Sequence, residues 1–343
     1  MPRIFTLLCL LTLFACEQPT KNPPPVADEP RNGYFDNTGR DDVYTGGVKM
    51  IPIETPSGTF NVYTKRTGNN PKIKVLLLHG GPGVSSLYFE PADSYFPGAA
   101  IEYYYYDQLG SYRSDHPGDT SLWNTPRFVE EVEQVRQALD LGPDNFYVLG
   151  HSWGGILGIE YALKYQDKMK GLIISNMMSS CPAYGRYAHE VLGPGLGEET
   201  YRKILAYEDA EDFSNPDYVN LMTTEHYTKH VLRRPLGEWP RAVNVAFENT
   251  NPDIYVPMQG PSEFGIRGKL ANWDRTEDLA KIEIPTLVIG AQHDTMDPAF
   301  MKMMSEKLPK GEYLHCPDGS HMAMWDDQEV YFMGIIDWLK RQK

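Results

Sequence analysis

Two hydrophobic periodicities alternate along this chain. Segments 47–53 and 59–65 flank Pro56-Ser57-Gly58 and read as an antiparallel hairpin. The largely apolar run 73–78 suits a strand buried on both faces, and 100–106 follows as another after the break at Pro97-Gly98. Phe128, Val132, Val135 and Leu139 then recur at the spacing of a helix that buries one face. Strand 146–149, helix 155–165 and strand 172–175 continue the rhythm. After an interruption it resumes with strand 285–290, helix 298–308, strand 312–315 and helix 328–340, whose Phe332, Ile335, Ile336 and Leu339 share an inner face. This alternation predicts an α/β fold, a mostly parallel, doubly wound sheet with helices on both faces.

The interruption, 181–278, is rich in Tyr, Pro and Glu and lacks strong strand runs. About a hundred residues between two strands of one sheet is too long for a loop. The expected arrangement is a mainly helical cap over the strand ends, inserted between a first core part (46–180) and a second (279–343).

Composition sets bounds on function. The 343 residues can bury one core plus an inserted subdomain, and 41% hydrophobic with 23% charged residues is the make-up of a soluble globular protein. A net charge of −14 and a pI near 5.1 argue against nucleic acid as a partner. The body has no apolar run long enough to span a membrane. Nothing in the sequence specifies an oligomeric state.

The first fifteen residues read as a signal peptide, with Arg3 ahead of an apolar stretch too short to cross a bilayer. Leu13-Phe14-Ala15-Cys16 resembles a bacterial lipobox, with Phe14 departing from the small or aliphatic residue usual there. On that reading Cys16 carries lipid, and 16–45 is a proline-rich tether and N-terminal extension. The expected location is that of an exported, membrane-anchored lipoprotein, on the periplasmic side or the cell surface; the alternative is an ordinary secretory signal cut nearby. Cys181 and Cys316 are then expected as buried free thiols. No Cys/His cluster has metal-ligand spacing, so neither a metal nor another cofactor is expected.

Candidate chemistry centres on Phe146-Tyr147-Val148-Leu149-Gly150-His151-Ser152-Trp153-Gly154-Gly155, where a strand runs into Gly-x-Ser-x-Gly and a helix follows at once. That context is what a nucleophile elbow requires: a turn tight enough to lift the serine hydroxyl above the sheet edge. A serine nucleophile needs a base, and the base needs a carboxylate to fix its tautomer. Asp294 lies just past strand 285–290, and His321 just past the last strand, in the order Ser, Asp, His and on the same edge as Ser152. Asp297 reads instead as the cap of the next helix, His293 and His151 as packing beside active residues, and Asp326 and Asp327 as helix N-terminal charges. The glycine-rich His79-Gly80-Gly81-Pro82-Gly83 follows strand 73–78, so the Gly81 and Trp153 amides are the candidate oxyanion donors.

His79-Gly80-Gly81-Pro82-Gly83, Tyr106-Asp107-Gln108-Leu109-Gly110, Gly150-His151-Ser152-Trp153-Gly154-Gly155 and Gly319-Ser320-His321 stand in the order seen in proline iminopeptidases. From roughly Gly46 to the C-terminus the chain resembles these α/β-hydrolase serine peptidases, especially the tricorn-interacting aminopeptidase branch and its bacterial relatives. The cap segments Gly260-Pro261-Ser262-Glu263-Phe264 and Asn272-Trp273-Asp274 share in the likeness. The resemblance implies the α/β-hydrolase fold, triad roles for Ser152, Asp294 and His321, and a cap Glu263 that holds the substrate's free N-terminal amine. It implies release of N-terminal proline from short peptides with a free N-terminus. In the tricorn-associated branch a second glutamate follows the triad aspartate, whereas Thr295 stands here, which leaves open a broader L-aminoacyl peptidase or an amino-acid amidase. An esterase or lactonase would use the same triad, and a non-catalytic binding protein would use only the scaffold. Dehalogenases and many epoxide hydrolases of this fold carry Asp at the elbow, against which Ser152 argues.

Overall fold

The computed structural model describes residues 33–342; the signal peptide, Cys16 and the tether up to residue 32 lie outside the described residues. One eight-stranded sheet runs through the domain in the order β1-β2-β4-β3-β5-β6-β7-β8. β1 (Val48–Thr55) and β2 (Gly58–Thr67) form the expected hairpin, paired Thr55 to Gly58 at the turn. β2 also runs antiparallel to β4 (Glu102–Asp107). From there the sheet is parallel through β3 (Lys74–Leu78), β5 (Phe146–His151), β6 (Gly171–Ser175), β7 (Thr286–Ala291) and β8 (Gly311–Cys316).

The pattern of burial follows from this order. β4, β5, β6 and β7 are buried along their whole length, as parallel strands with helices on both faces must be. β8 lies at the edge and is only partly covered. Thr125–Ala138, with Pro126 in its first turn and Asn124 capping Arg127 N–H, packs against the elbow helix Trp153–Tyr165 on one face. Gln328–Arg341 buries Tyr331, Phe332, Ile335, Ile336, Trp338 and Leu339 on the other, in a core shared with Val75, Leu77, Tyr147 and Ile173.

Residues 33–45, the N-terminal extension that follows the tether, pack against the sheet. Tyr34 is 2% exposed, and buried Asp42 pairs with Arg66 on β2 through Nε (2.9 Å) and Nη2 (2.7 Å). A paired aspartate and a buried tyrosine hold this stretch against the domain.

Between β6 and β7 the chain is helical as far as Met258: Cys181–Tyr187, Glu198–Asp209, Pro216–Leu221, a wide π-helix Met222–Val231, Arg241–Glu248 and Pro252–Met258. Residues 259–277 are irregular apart from a bridge between Ser180 and Asp274. Cys181 and Cys316 are buried and unpaired. No helix among the described residues is long and apolar enough to cross a membrane.

Candidate active site

Every parallel strand ends on the edge where the candidate residues lie. Ser152 follows β5 directly, at φ 55° and ψ −128°, a backbone conformation costly for any residue with a side chain. Two glycines make the turn possible. A Cβ on Gly150 would sit 2.0 Å from Gly154 O, and one on Gly154 would sit 2.0 Å from Leu78 O. Strand, turn and helix therefore approach closely enough to push Ser152 out over the sheet edge, as the elbow spacing predicts.

Asp294 comes from the loop after β7 and His321 from the loop after β8. His321 Nδ1 donates to Asp294 Oδ1 at 2.9 Å, and both groups are buried. Burial alone would lower the imidazole pKa, but the charge and hydrogen bond of Asp294, with Glu263 and Asp326 farther off, more than offset it. The net direction is up from the ordinary histidine value. Ser152 and His321 open onto one cavity, without a direct hydrogen bond between their side chains. Thr295 stands beside the acid and base, its Oγ1 3.3 Å from Asp294 Oδ1 and 3.2 Å from His321 Nδ1. Asn176, which no sequence motif marks, donates from Nδ2 to Asp294 Oδ2 at 2.7 Å.

The glycine-rich loop after β3 lies against the nucleophile. A Cβ on Gly80 would meet Ser152 Cβ at 2.8 Å and its Oγ at 3.2 Å. Gly81 takes φ 106°, open to glycine and strained for any other residue. No acceptor among the described residues takes the N–H of Gly81 or of Trp153, so both remain free for an oxyanion. Gln108 locks the two donors' elements together: its Nε2 donates to His79 O at 3.0 Å, and its Oε1 accepts from Trp153 Nε1 at 2.8 Å. The Asp-Gln-Leu-Gly motif is thus a brace between loop and elbow.

His151 is fully buried and held neutral, its pKa driven well down by burial and by the neighbouring His321. Its Nε2 lies 2.8 Å from His321 O, which can only accept, so Nε2 carries the proton. Nδ1 then accepts from the Tyr88 hydroxyl at 3.0 Å, and Tyr88 accepts from Gly80 N–H. His151 therefore does more than pack: it links the elbow, the base and the glycine loop.

Asp297 caps Pro298–Lys307 through Ala299 N–H, as expected. His293 contributes backbone alone to the site's frame: its N–H donates to Gly319 O and its carbonyl accepts from His230 Nδ1. Asp326 and Asp327 stand at the N-terminus of the last helix, as expected, and their side chains take a further task instead of capping it. Asp326 accepts from Ser320 N–H at 3.0 Å and Asp327 from Asp318 N–H at 3.1 Å. The loop carrying His321 has amides that no strand satisfies, and these carboxylates supply the acceptors.

The cap covers the site. The cavity, about 150 Å3, is lined by Gly80, Gly81, Val84, Tyr88, Ser152 and His321 from the core and by Tyr227, Val231, Phe247, Thr250, Tyr255 and Glu263 from the cap. Glu263 is 8% exposed, and Tyr255 donates to its Oε1. Its backbone is fixed from three sides: Tyr184 Oη and His226 Nε2 reach its carbonyl at 2.7 and 3.1 Å, and its N–H donates to Tyr227 Oη at 3.2 Å. Burial raises the Glu263 pKa above the ordinary carboxylate value, against the opposing pull of His321 and Tyr255. Cap and core also join at the base, where His321 N–H donates to His230 O and Met322 N–H to Val231 O, at the end of the π-helix. No group of three or more His, Cys, Asp or Glu among the described residues is placed to hold a metal ion.

Comparison with known proteins agrees with this geometry. Residues 74–328 match the family model of the alpha/beta hydrolase fold. The chain is 55% identical to a proline iminopeptidase of Flavobacterium johnsoniae over 290 residues, covering 84% of this chain and 97% of that one. It is 52% identical to a proline iminopeptidase of Elizabethkingia meningoseptica over 293 residues, covering 85% and 97%. Among solved structures, the proline iminopeptidase of Mycobacterium smegmatis superposes with a TM-score of 0.76 at 25% identity, covering 86% of this chain and 98% of that one. A fold with this sheet order, a serine elbow with its aspartate and histidine, and relatives matched along nearly their whole length lead to one assignment: the chain belongs to the α/β-hydrolase fold family and, within it, to the proline iminopeptidase family.

Proposed function

We propose that this protein is a serine aminopeptidase that releases N-terminal proline from short peptides through an acyl-enzyme. One observation carries the reading: a nucleophile, its base and a lone buried carboxylate, Glu263, share a single small, largely apolar cavity. At about 150 Å3 it is well below the roughly 300–1,000 Å3 of sites for drug-sized ligands, which suits one small residue. A charged imino group entering such a cavity loses its hydration and needs a carboxylate partner. Glu263, aimed at the same space as Ser152, would bind that group and set the first peptide carbonyl over the hydroxyl.

In this mechanism His321 takes the Ser152 proton as the oxygen attacks the carbonyl, and Asp294 stabilises the imidazolium. The Gly81 and Trp153 amides receive the oxyanion. His321 then gives its proton to the departing peptide amine, and water attacks the prolyl ester by the same route in reverse. The cap, 181–278, is the lid over this pocket and excludes folded proteins. Initial rates on prolyl, alanyl and glycyl arylamides test the reading, with Ser152→Ala as control. Fast cleavage of the prolyl compound alone supports it; comparable rates on all three point to a broader aminopeptidase, and loss of none in Ser152→Ala rejects it.

For the N-terminus we propose lipid attachment at Cys16 and export to a membrane surface, on the strength of the lipobox-like Leu13-Phe14-Ala15-Cys16. Labelled palmitate incorporated by the wild type and lost in Cys16→Ser is the expected result; equal incorporation by both rejects the assignment.

A further inference from the structure

Asn176 stands directly after β6 at φ 53°, in the left-handed region that asparagine tolerates better than most residues. It is fully buried, and each polar atom of its side chain has a defined partner. Nδ2 donates to Asp294 Oδ2 at 2.7 Å and to Ser320 O at 3.2 Å. Oδ1 accepts from Ser175 Oγ at 2.8 Å, and Ser175 Oγ lies 2.9 Å from Tyr331 Oη. The flip of the amide is thereby settled. A carboxylate and a backbone carbonyl can only accept, so the nitrogen must face both.

The partners divide the work of holding Asp294. Oδ1 receives His321 Nδ1, with the Met296 N–H at 3.2 Å and Thr295 Oγ1 at 3.3 Å. Among the described residues Oδ2 has Asn176 alone. Through Ser320 O the same amide also touches the residue preceding His321. One side chain thus fixes the acid and the loop that carries the base, relative to each other and to the end of β6.

We propose that Asn176 is a positioning residue for the acid and base, oriented in turn by Ser175 and Tyr331 from the opposite side. It touches no substrate and acts through Asp294. Without it the carboxylate would keep its Oδ1 contacts but be free to swing Oδ2 away, and the imidazole would lose its fixed direction toward Ser152. The role rests on Ser152, His321 and Asp294 forming one catalytic unit, but not on the substrate.

Asn176→Gly is the direct test, because glycine accepts φ 53° and only the amide is lost. Two readouts on the full chain keep the readings apart: kcat and KM on prolyl arylamide, and the rate of Ser152 labelling by a fluorophosphonate, which needs the triad but no amine anchor. The expected result is a fall of about 10–100-fold in both kcat and labelling rate, with KM changed less than about 2-fold; groups that orient metal ligands show effects of that size. Unchanged kcat and labelling in a folded variant would overturn the proposal. If Asn176→Gly does not fold, Ser175→Ala carries the test, since it removes the donor that holds Oδ1 and loosens the amide against Asp294; a smaller fall in kcat at constant KM supports the role, and no fall overturns it. A wild type that fails to label at all would instead reject the triad.

Discussion

Replacing Glu263 by Gln changes one atom and removes one charge. Tyr255 donates to Oε1, and an amide oxygen can still accept there, so the scaffold around the side chain persists. The Glu263 pKa is raised in the folded protein, so its ionisation costs stability at pH values above that pKa. The glutamine variant should therefore keep or gain thermal stability at neutral pH. Binding changes far more. The substrate's cationic amine would lie among Val84, Val231, Phe247 and Met322 with no carboxylate to meet it. A hydrogen bond to a charged group contributes about 1.5–3 kcal/mol, and stranding one partner of a buried ion pair costs about 3–5 kcal/mol. Taking about 3 kcal/mol gives a factor of about 150 in kcat/KM. Because the amine is held alike in ground and transition states, the loss should fall mainly on KM. The assay compares prolyl arylamide with a small neutral ester on the same preparation. The ester rate should stay within about 3-fold of wild type; an equal loss on both substrates would refute the anchor.

Other expectations follow from the same contacts. His321 must be neutral to act as base and its pKa is raised, so kcat/KM should fall on the acid side through a pKa above the ordinary value of about 6.5. Asp294→Asn and Glu263→Gln each remove a negative charge that favours the imidazolium, so both should move that limb to lower pH; a limb that stays in place in both would contradict the assignment. Gly80→Ala puts a methyl group 2.8 Å from Ser152 Cβ, and should lower kcat by about 100-fold or more at modest change in melting temperature. Asp326→Asn weakens the acceptors for Ser320 N–H and Oγ, so kcat should drop while fluorescence-monitored unfolding shows a loss of about 1–2 kcal/mol. Cys181 and Cys316 are buried with thiol pKa values pushed up by desolvation, so a thiol reagent should label them only on unfolding.

Much of this architecture was legible because strong local signals agreed with the global fold. Strands β3, β5, β6 and β7 are buried on both faces and read as apolar runs; their boundaries shifted by a residue or two, as at Thr286–Ala291. Ser152, Asp294 and His321 were legible because each directly follows a strand on one edge of a parallel sheet. What stayed hidden was set by contacts distant in sequence. Asn176 after a strand looks like any turn residue until its amide is seen against Asp294, 118 positions away. Asp326 and Asp327 sit where helix charges belong, and only the loop folded back on them gives them Ser320 and Asp318 to hold. The π-helix Met222–Val231 has no pattern distinguishing it from an α-helix, yet its end supplies the carbonyls that dock the His321 loop. Asp42 likewise gave no sign of burial, since its partner Arg66 lies on β2, 24 positions away, on a contact that sequence periodicity does not indicate.

The most direct trial of the whole account is the ratio of kcat/KM for L-proline arylamide to that for the same compound with its nitrogen acetylated. With Glu263 reserved for a charged amine, the free compound should be preferred by at least about 100-fold. Comparable turnover of the two would mean that the buried carboxylate does not read the N-terminus, and that the cavity serves some other acyl group.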